Sequence, residues 1–238
     1  MSEYTVNVGS LECDYFSLLS PRHLLEYFIE FTLEEQHRDG CGMDELAAEF
    51  DAVWMISHLR MEQTSPITVG DVLCYRTQPR MEKRSCYFFF ADVMRGEEQV
   101  ARFECSFIPV YRVSRRILRL SQLAPLWKVP PQATVPSPLH RLRPGCEFLP
   151  CGSDEVRYSD CDMNRHMTSG AYVSLVCDAL GFWDSETPRI MQQMQVDYSS
   201  EVYPGTELRF IRGEAGGRQY VRGIKPDGKI AFTAECVF

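Results

Sequence analysis

The feature that most constrains the fold of this chain is an internal repeat on either side of a proline-rich stretch. Residues 121–150 hold seven of the chain's 14 prolines (125, 130, 131, 136, 138, 144 and 150). Proline fixes φ and lacks a backbone donor, so this stretch is predicted to be an extended connector. It divides the 238-residue chain into an N-terminal lobe, residues 1–120, and a C-terminal lobe, residues 151–238.

Each lobe contains one amphipathic helical pattern. In the first lobe Ser20 suits an N-cap and Pro21 the first helical position; in the second, Thr168 or Ser169 suits the cap and Gly181 the stop. The apolar positions recur at helical spacing and are predicted to face the core. They are Leu24, Leu25, Phe28, Ile29 and Leu33 in the first lobe and Tyr172, Val173, Val176 and Leu180 in the second.

Strand-like runs follow each helical pattern in the same order. Residues 51–77 parallel residues 188–212, each with a break at a proline (66 or 204) and a turn at a glycine (70 or 205). A hairpin follows in both lobes, with turns at Arg95-Gly96 and Asp227-Gly228, and the ends "ECSF" and "ECVF" match. The repeat predicts an α+β fold in which a long helix is wrapped by a curved antiparallel sheet, twice. A chance similarity of two α+β domains is the alternative.

Charge and composition exclude several function classes. A formal net charge of −8 disfavours nucleic acid and anionic membranes as partners. No apolar run approaches the roughly 20 residues of a membrane span, and the N-terminus lacks the features of a signal peptide. The ten cysteines form no CxxC pair, which is typical of reduced thiols, so a cytoplasmic location is predicted. The five histidines lack ligand spacing and no phosphate-binding glycine loop is present, so neither a metal nor a cofactor is predicted.

A polar motif precedes the second helix, in "YSDCDMNRHMTSGAYVSLVCDAL" (residues 158–180). Asp160, Asp162, Asn164 and His166 stand at alternate positions. If the segment is extended, these side chains share one face beside the helix N-terminus, which offers unpaired N–H groups and a positive dipole. This arrangement suits a reaction in which a carbonyl oxygen gains negative charge, as in thioester hydrolysis.

The first lobe serves as an internal control for this motif. Its equivalent segment keeps Asp14 but has Phe16 where Asn164 stands and Leu18 where His166 stands. One interpretation is that Asp162 and Asn164 only order the turn. A role in ordering the turn would be needed in both lobes. Because the polar set is complete only in the second lobe, a catalytic role is favoured.

The motif resembles the "D-x-D-x-N-x-H-x-N-N" signature of acyl-(acyl-carrier-protein) thioesterases, plant fatty-acyl enzymes and their bacterial relatives. The first lobe adds the strand from Trp54, a "P-x-x-x-G-D" break at residues 66–71 and the arginine-bearing "YRVSRRILR". The resemblance covers nearly the whole chain and implies two tandem hotdog domains. It implies hydrolysis of fatty acyl-ACP thioesters to free fatty acid and carrier by general-base activation of water, without a cofactor.

The resemblance also implies roles by position. Asp162, Asn164 and His166 match the catalytic positions, and "YSSE" places Glu201 at a further acidic one, where the first lobe has Pro66. Glu201 or His166 is the expected general base. Asn164 would hold the water or the carbonyl, and Asp162 would orient Asn164 or His166. The alternative for Glu201 is a solvated charge before a turn.

Two departures from the family's pattern affect the site. Thr168 and Ser169 replace the usual Asn-Asn at the helix start, where they are expected to contact substrate. Val202 stands where plant members carry a cysteine after the glutamate, so no cysteine nucleophile is available there. Cys161 would point to the opposite face of an extended segment and is predicted to be structural.

The expected partner is an acyl carrier protein bearing a phosphopantetheine-linked acyl chain. The first lobe is expected to supply the acyl slot, with Trp54, Met55, Ile56 and the Phe88–Phe90 run as candidates, although an ordinary core explains these residues equally well. Six arginines could form a docking patch for an acidic carrier. They are Arg112, Arg115, Arg116, Arg119, Arg141 and Arg143.

Three alternatives to this function remain on the same scaffold: an acyl-CoA thioesterase, a hotdog dehydratase, and a non-catalytic protein that binds an acyl group. Dehydratases favour a proline or glycine arrangement that the sequence does not show. Because the two lobes can pair within one chain, a monomer and a homodimer are both compatible with the sequence.

Overall fold

The two lobes share a single antiparallel sheet. The computed structural model describes residues 2–83, 86–128 and 139–238. The strands are β1 (Ser2–Asn7), β2 (Ala52–Gln63), β3 (Val72–Lys83), β4 (Cys86–Arg95), β5 (Glu98–Tyr111), β6 (Leu149–Glu155), β7 (Gln193–Tyr198), β8 (Glu207–Ala215), β9 (Arg218–Ile224) and β10 (Ile230–Val237). The helices are α1 (Pro21–Arg38), α2 (Met43–Phe50), α3 (Leu120–Leu123) and α4 (Ser169–Ala179).

The order of the strands confirms the duplication. The ten-stranded sheet runs β1-β3-β4-β5-β2-β7-β10-β9-β8-β6. Read from its outer edge inwards, each lobe places its first, third, fourth, fifth and second strand in the same sequence. The lobes meet where β2 pairs with β7 in antiparallel register, with Leu59 opposite Val196. The predicted α+β repeat is therefore correct, and an approximate twofold axis relates the lobes.

Both predicted helices begin at their predicted caps. The Ser20 hydroxyl accepts a hydrogen bond from the His23 N–H at 3.3 Å, and the Thr168 hydroxyl accepts one from the Ala171 N–H at 3.1 Å. These bonds satisfy backbone donors that the first helical turn leaves unpaired. Beyond α4, Gly181 has φ +70°, as expected of a residue that ends a helix.

The two long helices pack closely against each other. Gly170, in the first turn of α4, lies against the side chain of Glu26 on α1, and an added Cβ there would collide with it. α1 buries Leu24, Leu25 and Phe28 against the sheet, as its apolar stripe predicts. The close crossing brings the start of each helix beside the other lobe, which is where the polar motif lies.

The connector is not extended throughout. Its first residues form α3, a short helix that buries Leu120 and Leu123, so the prediction of an extended segment is wrong there because two leucines gain from burial. Residues 129–138 lie outside the described part of the chain. Farther on, the connector is held to the sheet where the lobes meet: the Leu142 N–H donates to Asp197 Oδ2 at 2.6 Å.

Two elements have no counterpart in the repeat that was read from the sequence. β1 pairs with β3 at one edge of the sheet, and α2 follows α1 through a short turn. β6 begins at Leu149, two residues before the predicted start of the second lobe. Within the described ranges, no helix is long and apolar enough to cross a membrane.

Candidate active site

The polar motif forms a compact turn, not an extended strand. Residues 158–160 make a single 3₁₀ turn, and a bridge between Cys161 and Met167 closes the next turn. Inside it the Asp162 N–H donates to the His166 carbonyl at 3.2 Å, and Arg165 adopts a left-handed conformation with φ +64°. The prediction that four alternate side chains share one face is therefore wrong, because the left-handed residue reverses the chain within the motif.

Inside this turn the two aspartates bind backbone groups. Asp160 Oδ2 accepts from the Arg157 N–H at 2.7 Å and so caps the 3₁₀ turn. Asp162 Oδ1 accepts from the Asn164 N–H at 2.8 Å, while its Oδ2 accepts from the Asn164 side-chain amide at 3.2 Å. Asp162 thus orders the loop and also orients the exposed amide of Asn164.

His166 and Glu201 form the second pair of the site. His166 Nε2 lies 3.7 Å from Glu201 Oε1, with the two side chains 26% and 15% exposed. The pair forms because the Met167 N–H donates to the Val202 carbonyl at 2.9 Å, which joins the motif to the β7–β8 connection. Sequence reasoning named both residues, and the structure brings them together.

The two oxygens of Glu201 have different surroundings. Oε2 accepts from Arg115 Nη2 and from the Tyr203 hydroxyl, each at 2.9 Å. Oε1 is buried and has no hydrogen-bond partner among the described residues. The hydrogen bond to Glu201 raises the pKa of Tyr203, so this phenol remains a donor at neutral pH. One carboxylate oxygen is thus held while the other faces His166.

The start of α4 supplies backbone donors beside the motif. Thr168, one of the residues expected to contact substrate, uses its hydroxyl to cap the helix. The N–H groups of Ser169 and Gly170 make no hydrogen bond within the described part of the chain. Free N–H groups at a helix N-terminus can stabilise an oxyanion. The replacement of Asn-Asn by Thr168 and Ser169 therefore does not remove these backbone donors.

The first lobe repeats the loop without the ionisable groups. There Cys13 bridges Leu19, Ser17 has φ +62°, and the Leu19 N–H donates to the Ile67 carbonyl at 2.8 Å, as Met167 does to Val202. Asp14 Oδ1 accepts from the N–H groups of Phe16 and Leu18 at 2.8 and 3.0 Å. The structure thus places three apolar residues where the second lobe has Asn164, His166 and Glu201. They are Phe16, Leu18 and Pro66.

A cavity of about 330 Å³ opens at this first-lobe loop. Its walls are residues 13–16, the start of α1, the later part of α4 and residues 182, 183 and 189, with Phe16 and Phe182 among them. By the approximate twofold axis, the loop beside this cavity corresponds to the polar motif of the second lobe. That loop has no equivalent of Asn164, His166 or Glu201.

Trp54, expected to line an acyl slot, lies in the core of the first lobe. It is 6% exposed, and its indole N–H donates to the Cys41 carbonyl at 2.8 Å. Its ring packs against Tyr87 and Phe107 with centroids 6.0 and 6.3 Å away. It is not among the residues lining the 330 Å³ cavity. A role in holding the acyl chain stays a prediction.

Arg115 and Tyr203 are site residues that sequence reasoning did not identify. Arg115 was expected to belong to a docking patch, yet its guanidinium is ion-paired with Glu201 at 2.9 Å. Tyr203 stands two residues after Glu201, a spacing that could have suggested a contact. No local pattern could have paired Arg115 with a residue 86 positions away. Arg112, Arg116 and Arg119 are exposed as expected.

Metal-assisted chemistry has no obvious ligand set in the part of the chain that the structure describes. No group of three or more His, Cys, Asp or Glu side chains is arranged there to hold a metal ion.

Comparison with known proteins supports the resemblance seen in the motif. Residues 153–232 match the sequence profile of the acyl-ACP thioesterase C-terminal domain, so the resemblance of the second lobe to that family is confirmed. Members of this family are thioester hydrolases. The sequence has no significant match among curated proteins.

Solved structures extend the similarity to the whole chain. An acyl-ACP thioesterase from Bacteroides thetaiotaomicron superimposes with a TM-score of 0.82 at 18% identity, covering 100% of this chain and 97% of that one. The 12:0-ACP thioesterase from Umbellularia californica gives a TM-score of 0.79 at 16% identity, covering 99% and 96%. At these identities the comparison shows the fold, and the predicted double hotdog architecture is confirmed.

Proposed function

We propose that this chain hydrolyses fatty acyl thioesters carried on an acyl carrier protein, releasing a free fatty acid and the carrier thiol. The observation that carries this proposal is the His166–Glu201 pair, 3.7 Å apart, which is present in the lobe that matches the thioesterase profile. The equivalent loop of the first lobe has the same backbone but holds Leu18 and Pro66 at these places. A purely structural role would not require this difference.

In the proposed reaction water attacks the carbonyl carbon of the thioester. Glu201 Oε1 takes the proton of the water, because this oxygen is unpaired while Oε2 is held by two donors. The carbonyl oxygen becomes an oxyanion that the free N–H groups of Ser169 and Gly170 stabilise. The C–S bond then breaks, and the proton that Glu201 took from the water passes through His166 to the leaving thiolate sulfur. The opposite assignment, with His166 as the base, uses the same pair and is separated from this one by the variants below.

Asn164 and Asp162 complete the proposed site as a positioning pair. The Asn164 amide is exposed at the loop surface, where it can hold the attacking water or the substrate carbonyl. Asp162 Oδ2 holds that amide at 3.2 Å. Fixing the amide lowers the reorganisation needed in the transition state.

Glu201→Gln, His166→Ala and Asn164→Ala test the proposal, with Asp160→Asn as a control for loop order. Fatty acid release from acyl-ACP is quantified by chromatography, which avoids interference from the enzyme's own thiols. Loss of a general acid or base lowers kcat by roughly 10²- to 10⁴-fold. The two roles are assigned with thioesters of thiols that differ in acidity: the variant whose loss in kcat is smaller for a more acidic thiol lacks the general acid, because a better leaving group needs less protonation. Near-normal turnover of both Glu201→Gln and His166→Ala would show that this pair is not the catalytic site.

The exposed arginines beside the site support a carrier-bound substrate, and a comparison with acyl-CoA separates an acidic carrier from the phosphates of CoA. Arg115, which binds Glu201, has three exposed arginines close to it along the chain. They are Arg112, Arg116 and Arg119. An acidic carrier would gain from this local positive surface on a chain of net charge −8. Arg116→Ala with Arg119→Ala is expected to raise KM for acyl-ACP severalfold with kcat unchanged. An equal rise in KM for acyl-CoA would favour the acyl-CoA thioesterase. No change in KM for acyl-ACP would mean that these arginines do not bind the carrier.

A protein that only binds acyl groups is the remaining alternative. It predicts tight binding of acyl-ACP with no release of fatty acid over hours. A panel of acyl chain lengths on both carrier and CoA, followed by chromatography, separates the binder from the enzyme and also gives the preferred chain length.

A further inference from the structure

We infer that Arg115, which belongs to the first lobe, is a positioning residue for the reaction carried out in the second. This inference rests on the proposed function. Arg115 follows β5, and its guanidinium crosses to Glu201 in the β7–β8 connection, with Nη2 and Oε2 2.9 Å apart. The lobe that has lost its own polar set therefore supplies one group to the site of the other.

The backbone around Arg115 is built to present this side chain. A tight turn follows β5: the Arg115 N–H donates to the Tyr111 carbonyl and the Tyr111 N–H donates to the Arg116 carbonyl, both at 3.0 Å. The Leu118 N–H donates to the Pro109 carbonyl at 2.8 Å, so the chain returns along β5. Arg115 itself has φ +53°, a left-handed conformation that an L-residue adopts only when its surroundings impose it.

The groups that face Glu201 explain why a cation is needed there. Its carboxylate contacts Arg115, Tyr203 and His166, and Lys225 Nζ lies 3.4 Å from its backbone carbonyl. Tyr172 of α4 is close enough for the negative charge of Glu201 to raise its pKa, after the larger effect of burial. Tyr203 and Tyr172 are neutral, and Lys225 is bound to the carbonyl. Among these groups, Arg115 is the permanent positive charge on the carboxylate itself.

Two consequences follow for catalysis. The guanidinium holds Oε2 in place, so that Oε1 stays directed at His166 and the attacking water. It also compensates the charge of a carboxylate that is only 15% exposed. Arg115 touches neither the substrate nor the water in this arrangement; it acts through Glu201.

Arg115→Gln and Arg115→Lys test the inference, with Arg209→Gln as the matched control. Arg209 lies on β8; its side chain is exposed and has no ion pair within the described ranges. We expect Arg115→Gln to lower kcat for acyl-ACP by at least about tenfold, the scale of one lost hydrogen bond to a charged group. The KM should change less than twofold.

The conservative variant gives the discriminating readout. Arg115→Lys keeps the charge and should retain more of kcat than Arg115→Gln, while Arg209→Gln should match the wild type in kcat and KM. Wild-type kcat in Arg115→Gln would overturn the inference, and so would a lower melting temperature with unchanged kinetics. Glu201→Gln, measured in parallel, separates the two failures. If Glu201→Gln is inactive and Arg115→Gln is normal, only the inference is wrong. If Glu201→Gln is fully active, both the proposed function and the inference are wrong.

Discussion

Exchanging Asp162 for asparagine, with Asp14→Asn as its control, separates the structural part of the motif from the catalytic part. The two aspartates occupy equivalent loops, and in each the Oδ1 atom accepts backbone N–H groups. An asparagine side-chain oxygen can keep those bonds in both loops. The difference lies at Oδ2 of Asp162, which accepts from the Asn164 amide at 3.2 Å. In Asp162→Asn an NH₂ group faces another NH₂ group, so the Asn164 amide must rotate away.

The size of the effect can be estimated from these contacts. Each variant weakens a charged loop contact, part-buried at Asp14 and exposed at Asp162, so the free energy of unfolding should fall by about 1 kcal/mol in both. Asp162→Asn in addition removes one hydrogen bond to a charged acceptor that positions a catalytic group, roughly 1.5 kcal/mol at the low end of such bonds. Since about 1.4 kcal/mol is tenfold in rate, kcat should fall about tenfold in Asp162→Asn and stay within twofold in Asp14→Asn.

Fatty acid release from acyl-ACP and thermal unfolding, measured on both variants, test this reasoning. The expected result is a similar melting temperature for the two proteins and a loss of turnover in only one. Equal turnover, with or without an equal loss of stability, would mean that Asp162 only orders its loop. A much larger loss of stability in Asp162→Asn would mean that the two loops are not equivalent, and the comparison would fail.

Three further predictions concern the frame around the site. Gly223→Ala places a methyl group against the buried ring of Phe232 and should lower the free energy of unfolding by about 1–3 kcal/mol, whereas Gly145→Ala, with open space around it, should change little in urea unfolding. Thr168→Ala should cost about 1 kcal/mol of stability through loss of the helix cap, and Thr168→Ser should restore it; equal stability of the two variants would contradict a capping role. Burial raises the pKa of the Cys161 thiol, so Cys161→Ala should keep full turnover; loss of turnover without loss of stability would make Cys161 part of the chemistry.

Much of the fold could be predicted because its signals are local. Ser20 and Thr168 cap their helices as expected, and the turns at Gly96 and Gly228 are present, both glycines having positive φ. β1 was missed because an edge strand of six residues gives only a short periodic signal, and α2 because it has no counterpart in the second lobe.

The candidate site was only partly predictable. The spacing of the motif and the "YSSE" element placed His166 and Glu201 in one region, and the structure brings them within 3.7 Å. The alternation of polar residues nevertheless suggested an extended segment, because nothing in the composition of the loop indicates that Arg165 takes a left-handed conformation. Hydrogen bonds inside the turn impose that conformation.

The sequence alone determined the duplication, the α+β class, the starts of both long helices, the end of the second one, and the absence of Asn164, His166 and Glu201 equivalents from the first lobe. Each depends on hydrogen bonding and periodicity over a few residues, or on comparing one half of the chain with the other. The tertiary structure alone decided that Oε1 of Glu201 faces His166 without a hydrogen bond from any described residue, and that Arg115 holds Oε2. That contact joins residues 86 positions apart, and it exists because β2 and β7 align the two lobes in one sheet.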